Sequence, residues 1–264
     1  DKDGMSAHGF FYSPCGKAPN AEDREESHIF LNMVRNHHED TAGFGEFRGG
    51  SGTQNFNVVV SDDPVEVNST GKGSRIPHDT GIFGGYAATG MPGISVTDTD
   101  ILDRLEAGED VSTDVRELVT ERDVDGEYHI ERVNRPTRTL ETGDLFVNLS
   151  SGGGGLGDPL DRPPEKVAAD MEEGLISRWT ARRVFGIEFD DGAVDEAATE
   201  RRREQVRADR LDRGVPYDEF IEGWDEQEPP EEALKFYGPW PEAIVESRDA
   251  TRIGGRASVA ESDD

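Results

Sequence analysis

An α+β fold is what this sequence predicts, with a β-rich N-terminal half carrying glycine-rich loops, a helical C-terminal third and an extended proline-rich tail. Three observations lead there. Up to about residue 100 the apolar residues fall in short β-branched runs separated by glycine clusters, the pattern of strands and turns. After the run "SSGGGGLGDP" from Ser150 the apolar spacing becomes helical and capping residues recur. Beyond Gly214, Pro216, Pro229, Pro230, Pro239 and Pro241 break up any long regular element. The corresponding divisions are 1–160, β-rich; 161–214, the helical part of the same domain; and 215–264, a tail extended over a partner or over the body.

Taken in order, "HIFLNMVRN" (His28 to Asn36) and "FNVVV" (Phe56 to Val60) read as strands, with "GFGEFRGGSG" (Gly43 to Gly52) between them. A second cluster, "GIFGGYAATGMPG", runs from Gly81 to Gly93. A short helix is expected over Ile101 to Ala107, and a hairpin near "DVDGEYHIERV", where Asp125-Gly126 is a turn signal. "DLFVNLS" (Asp144 to Ser150) returns to strand character. In "PPEKVAADMEEGL", Pro164 suits a first helical turn, and Val167, Met171 and Leu175 recur every fourth residue as one apolar stripe. "SRWTARRVFG" reads as a helix capped by Ser177 and stopped by Gly186. A short strand "GIEF" and the turn "DDGA" precede a long helix that Asp195 caps and Gly214 closes.

Charge narrows the function classes. Asp and Glu number 57 against 28 Lys and Arg, a formal net charge of -29, and only five of the bases are Lys. Such a surface repels phosphates and anionic lipid, so neither nucleic acid nor a membrane surface is an expected partner. Aromatic and β-branched residues recur throughout, so the acid excess points to a soluble folded chain in a salt-rich, halophilic cytoplasm, where ions screen self-repulsion. A single Cys15 fits a reducing cytoplasmic compartment. The opening "DKDGMSAHG" has neither an initiator Met at position 1 nor the pattern of a signal peptide, so a piece of a longer protein is expected.

Gly152, Gly154 and Gly157 have the spacing of a dinucleotide fingerprint. That fingerprint needs a helix to begin at its third glycine, so that the helix N-terminus meets the pyrophosphate. Here "DPLDRPP" follows: Pro159 disfavours a helical Asp158, Pro164 restrains Pro163, and Asp158 and Asp161 would face any phosphate. No Gly-Lys-Ser/Thr follows either. A glycine crossing that lets two backbones approach is therefore the expectation.

Elsewhere, His37 and His38, followed by Glu39 and Asp40, have metal-ligand character, but strand neighbours point to opposite faces and no second spaced ligand pair accompanies them. His8 and His78 could join them only through the fold. Cys15 beside Lys17 reads as a bystander, and "RRREQVRADRLDR" (Arg201 to Arg213), interleaved with Glu204, Asp209 and Asp212, as a solvated helix face of internal ion pairs.

Three stretches in order carry a resemblance. "GFGEFRGGSG" has Arg48, Gly49, Gly50 and Gly52; "GIFGGYAATGMPG" has Gly81, Gly84 and Gly85. The third and most specific has Gly143-Asp144, Gly157-Asp158-Pro159, Arg162 with Pro164, Phe185-Gly186, and Asp195 with Ala198 and Thr199. Together they resemble the C-terminal portion of the hydantoinase B family, which includes N-methylhydantoinase B subunits, the matching half of 5-oxoprolinase, and large subunits of acetone and acetophenone carboxylases. The resemblance spans roughly residues 5–215 and departs from the family at Phe44 and Glu46, where small or basic residues are common.

The resemblance implies a hetero-oligomer in which a hydantoinase A-type partner subunit uses ATP and the B-type subunit helps complete the reaction on a small-molecule substrate. In the carboxylase branch it also implies a divalent metal, whose site belongs mainly to the N-terminal half that this chain lacks. "GKAPNAEDREES" and the stretch from "PYDEFIEGW" to "LKFYGPWPEAI" incline the reading to ketone carboxylation, with ATP-dependent opening of hydantoins or 5-oxoproline as the alternative. Arg48, Asp158 and Arg162, polar groups held on glycine-rich backbone, are the candidate catalytic residues; loop-bracing ion pairs are the competing role. Two further readings stay open: a non-catalytic assembly module, and an independent metal enzyme using His37 and His38.

Overall fold

The computed structural model describes residues 2–6, 20–27, 29–68, 77–131 and 137–224. His8, Cys15 and Lys17, the prolines from Pro229 onward and "LKFYGPWPEAI" lie outside the described residues. The chain forms two compact units, Asp1–Gly214 and Val215–Asp264.

The first unit contains helix α1 (Ala21–Ser27), strands β1 (Phe30–His37), β2 (Thr53–Val59), β3 (Val65–Val67) and β4 (Gly93–Thr97), then α2 (Ile101–Ala107) and α3 (Val115–Glu121). Next come β5 (Glu127–Glu131), β6 (Arg138–Leu140), β7 (Leu145–Ser150), a 3-10 turn at Pro159–Asp161, α4 (Pro164–Glu172), α5 (Arg178–Arg183), β8 (Phe189–Asp190), β9 (Ala193–Val194) and α6 (Glu196–Arg213). The architecture is α+β, β-rich first and helical after the glycine run, as the change of periodicity predicts.

Five strands form one antiparallel sheet in the order β1-β2-β7-β4-β5. Alternation along β2 divides its side chains between two cores: Phe56 and Val58 enter one with Val96, Leu145 and Val147, capped by Ile101 of α2 and Val115 and Leu118 of α3. Val59, on the opposite face, packs with Leu140 and Phe146 beneath the small β3–β6 sheet. A third core, Val167, Ile176, Ala181, Phe185 and Ile187, sits among the C-terminal helices, and Phe44 from the β1–β2 connection packs against it. Phe44 meets Phe185 edge to face, ring centroids 5.5 Å apart. A small residue at position 44 would leave that space unfilled.

Several expectations hold at the level of caps. Ser177 Oγ accepts the Thr180 amide at 3.1 Å, Asp195 Oδ1 accepts that of Ala198 at 2.8 Å, and Pro164 opens α4. Others need correction. The strand after Asp125-Gly126 pairs with β4 rather than with a preceding hairpin partner, because α3, capped by Asp114, occupies the stretch before it. The Arg201 to Arg213 face is not simply solvated: Arg203 is buried, and Arg207 and Arg210 bind across to Asp161 and Asp158. In the second unit, α7 (Tyr217–Trp224) is helical where an extended tail was expected; Asp218 and Glu219 in its first turn favour a helix N-terminus.

Candidate functional site

Strand order brings the three glycine-rich segments together. His37 at the end of β1 pairs with Thr53 at the start of β2, Thr53 pairs with Ser150 at the end of β7, and Ile94 at the start of β4 pairs with Val147. The loop between β1 and β2, the segment entering β4 and the segment leaving β7 therefore meet at one end of the sheet.

There, residues 152–157 run between the other two segments as a central rail. On one side Gly43 N donates to Gly153 O (2.8 Å), Gly153 N to Gly50 O (2.9 Å), and Phe47 and Leu156 exchange both bonds at 3.0 and 2.9 Å. On the other, Ile82 N donates to Gly155 O (3.0 Å), Gly155 N to Tyr86 O (2.9 Å) and Gly157 N to Ile82 O (3.1 Å). The amides of Gly153, Gly155, Leu156 and Gly157, which a phosphate loop would turn toward its ligand, are thus bonded within the protein. A Cβ at Gly155 would collide with the Phe44 carbonyl, and one at Gly49 with the Gly153 carbonyl. At Gly157 the requirement is conformational, φ being +77°. The α-helix begins only at Pro164, after Asp158 and Pro163 in extended conformation. The glycine spacing serves close backbone approach.

A buried charge network braces this crossing. Arg162, 1% exposed, donates from Nη1 to Asp3 Oδ1 (2.6 Å) and the Glu46 carbonyl (3.0 Å), and from Nη2 to Asp3 Oδ2 (3.1 Å) and Asp170 Oδ2 (2.7 Å). Asp170, on α4, also accepts from Arg48 Nε at 2.7 Å. Arg48 Nη1 donates to the Gly49 carbonyl at 3.1 Å, and the Arg48 amide to Asp3 Oδ1 at 3.1 Å. Two guanidiniums thus face two carboxylates, and the forked bonds offset much of the cost of burial, although Arg162 Nε is enclosed without a partner among the described residues. Burial alone would raise the Asp3 carboxyl, but the hydrogen bonds and charge of Arg162, helped by Arg48, hold it below the ordinary carboxylate value. Burial works against the charged Arg162, and Asp3 and Asp170 outweigh it and raise its pKa.

Asp158 sits apart from that network. Its Oδ1 accepts the Leu160 amide at 2.9 Å, capping the 3-10 turn, and its Oδ2 accepts from Arg210 Nη1 at 2.6 Å. Behind it Arg203 donates to the carbonyls of Phe185 (2.9 Å) and Arg162 (2.8 Å), with a pKa lowered by burial and by nearby Arg207. The three candidate residues are brought to one region, each engaged with protein partners. Asp3, Asp170 and Arg203 were not anticipated: Asp3 meets Arg162 across 159 residues and Asp170 meets Arg48 across 122, Arg203 binds backbone carbonyls, and charge alone carried no signal of these partners.

A cleft of about 420 Å³ opens beside the crossing, lined by Lys2, Met5, Arg48, Ser51 and Ser151 together with glycine backbone. Ser151 Oγ donates to Asp79 Oδ2 at 2.7 Å, and His78 Nδ1 lies 3.0 Å from that same oxygen. The carboxylate stands between hydroxyl and imidazole, so the imidazole is not placed to take the serine proton. His37 is exposed at the end of β1; His38 is half-buried, its Nε2 enclosed without a partner among the described residues. Burial lowers the His38 pKa, offset in part by Asp114 and reinforced by Arg116. Among the described residues no group of three His, Cys, Asp or Glu is arranged to hold a metal ion, and no helix is long and apolar enough to cross a membrane.

Comparison with known proteins agrees with the motif order. The acetophenone carboxylase delta subunit of Aromatoleum aromaticum is 36% identical over 248 residues, covering 92% of this chain and 36% of that subunit. The acetone carboxylase alpha subunit of Xanthobacter autotrophicus is 28% identical over 233 residues, 84% of this chain and 30% of the relative. The caprolactamase subunit beta of Pseudomonas jessenii is 33% identical over 165 residues, 62% and 24% respectively. Among solved structures, nucleotide-free acetone carboxylase matches with a TM-score of 0.71 at 25% identity, over 89% of this chain and 33% of that one. The ATP-dependent caprolactamase from Pseudomonas jessenii matches with a TM-score of 0.52 at 27% identity, over 76% of this chain and 32% of that one. This chain spans about a third of the length of these relatives. The family model for hydantoinase B/oxoprolinase matches residues 1–159, and the chain, with all three glycine motifs in order, belongs to that family.

Proposed function

We propose that this chain is part of a hydantoinase B-type subunit of an ATP-dependent, multi-subunit enzyme that carboxylates a ketone. The observation that carries the reading is the extent of likeness: 92% of the chain is covered by a subunit of acetophenone carboxylase, against 62% by the caprolactamase subunit. The structural likeness runs the same way, 0.71 for acetone carboxylase against 0.52 for caprolactamase. ATP-dependent opening of a cyclic amide is the second reading, favoured by the 33% identity to caprolactamase.

In this proposal ATP is used by a hydantoinase A-type partner, a reading supported by the amides of Gly153, Gly155 and Gly157, which are already bonded to protein carbonyls. The described residues do not fit a divalent metal either, so a metal of the carboxylase branch would be held elsewhere in the enzyme. Arg48, Asp158 and Arg162 then act as positioning residues that lock the crossing against α4 and α6, rather than as groups that touch substrate. Residues 1–214 form one domain in this reading, since Phe44 of the β-rich part packs into the helical core. The acid excess adapts it to a salt-rich cytoplasm.

The test is substrate-dependent ATP hydrolysis by the complete enzyme, assembled with its A-type partner in molar salt. Stimulation by ketone plus bicarbonate supports the carboxylase reading; stimulation by hydantoin, 5-oxoproline or a lactam alone overturns it in favour of ring opening. Asp158→Ala separates the roles: lost turnover with an intact complex and unchanged stability would make Asp158 catalytic, whereas lost stability fits a brace.

A further inference from the structure

Helix α5 presents a basic, aromatic face in an otherwise acidic chain. Arg178, Trp179, Arg182 and Arg183 are exposed, Trp179 at 66%, while Thr180 and Ala181 on the opposite side are buried. At 100° per residue the four exposed side chains share one side of the helix. Arg202 of α6, also exposed, reaches the turn that follows α5, its Cγ 3.9 Å from where a Cβ on Gly186 would stand. None of these four arginines is paired with a carboxylate among the described residues. Two are held in place without one: the Arg178 guanidinium lies 4.1 Å from the Phe189 ring centroid and that of Arg182 5.7 Å.

We propose that this face docks an acidic segment of a partner protein, one that supplies several carboxylates and an apolar or aromatic residue to cover Trp179. Charge complementarity argues for that occupant. With 57 acidic residues against 28 basic ones, the chain as a whole repels an acidic partner, so attraction is confined to such a local basic face. Stacking on Phe189 fixes two guanidiniums before binding, which reduces the ordering cost and leaves their edge N–H groups for forked bonds to carboxylates. Trp beside Arg is the composition of an interface hot spot. The inference does not depend on which reaction the enzyme catalyses.

The test titrates a fluorescein-labelled, glutamate-rich peptide containing one phenylalanine with this chain, at the lowest salt that keeps it folded by circular dichroism. Binding is expected, weakening as salt rises. Arg178→Glu/Arg182→Glu should weaken it by at least about tenfold, roughly 1.4 kcal/mol. Trp179→Ala should weaken it without changing the salt dependence, and Arg201→Glu, on the outer side of α6, should leave it unchanged. Absence of peptide binding, equal binding by the charge-reversed variant, or binding of phosphatidylserine vesicles in preference to the peptide would overturn the proposal.

Discussion

Replacing Arg162 by alanine tests whether the charge network braces the glycine crossing. The side chain is 1% exposed and donates to two carboxylates and one carbonyl. Its removal leaves Asp170, whose side chain is 6% exposed, to Arg48 alone, and strips Asp3 of its forked partner. Breaking a buried pair from one side typically costs about 3–5 kcal/mol, because the remaining charge stays desolvated. At about 2–4 °C per kcal/mol for a chain of this size, Tm should fall by roughly 6–20 °C. Arg162→Lys keeps the charge but not the fork, and should lose roughly 1.5–3 kcal/mol. Urea and thermal denaturation of both variants in molar salt, followed by near-UV circular dichroism, read these losses. A double-mutant cycle with Asp170→Asn should show a coupling of roughly 0.5–3 kcal/mol. A loss below about 1 kcal/mol for Arg162→Ala would refute the bracing role and return Arg162 to the candidates for substrate contact.

Other expectations follow from the same structure. Gly155→Ala drives a Cβ into the Phe44 carbonyl and should cost more than about 3 kcal/mol or prevent folding, whereas Gly108→Ala, at φ +71° with open space around it, should cost about 1–2 kcal/mol. Burial lowers the His38 pKa below the ordinary 6.5, so the unfolded chain takes up that proton at higher pH than the folded one. Stability should therefore fall as pH drops from above 6.5 toward the lowered value, and urea midpoints of His38→Gln should lack that component. With a net charge of -29, Tm should climb as salt is raised from millimolar to molar; a flat profile would count against the salt-adapted reading.

Local chemistry made part of this fold legible. Ser177, Asp195 and Pro164 are helix signals that act within a few residues, and all three stand where capping requires. Strand β4, "GISVT", was hidden because its alternation of Ile94 and Val96 with Ser95 and Thr97 spans only four residues and starts directly at the end of a glycine cluster. Helix α3 lies in an acidic stretch whose apolar signal is only Val115, Leu118 and Val119. At the site, the incompatibility of "GDPLDRPP" with a phosphate-binding helix start was readable, because proline restricts its neighbour directly. The pairing of Arg162 with Asp3 was not: 159 residues separate them, and Asp3 is placed there by bonds of its segment to Arg48 in the β1–β2 connection. Arg203 likewise looks solvated in "RRREQVRADRLDR" until the carbonyls of Phe185 and Arg162 are placed beside it.

Amide hydrogen exchange at Gly153, Gly155, Leu156 and Gly157, with and without ATP, tests most directly whether the glycine convergence is a self-satisfied crossing. Each of these amides donates to a carbonyl of a neighbouring segment at 2.9–3.1 Å. A self-satisfied crossing should give protection near that of the central strands in the nucleotide-free chain, unchanged by ATP. Rapid exchange that ATP suppresses would contradict it and make these glycines a nucleotide-binding loop.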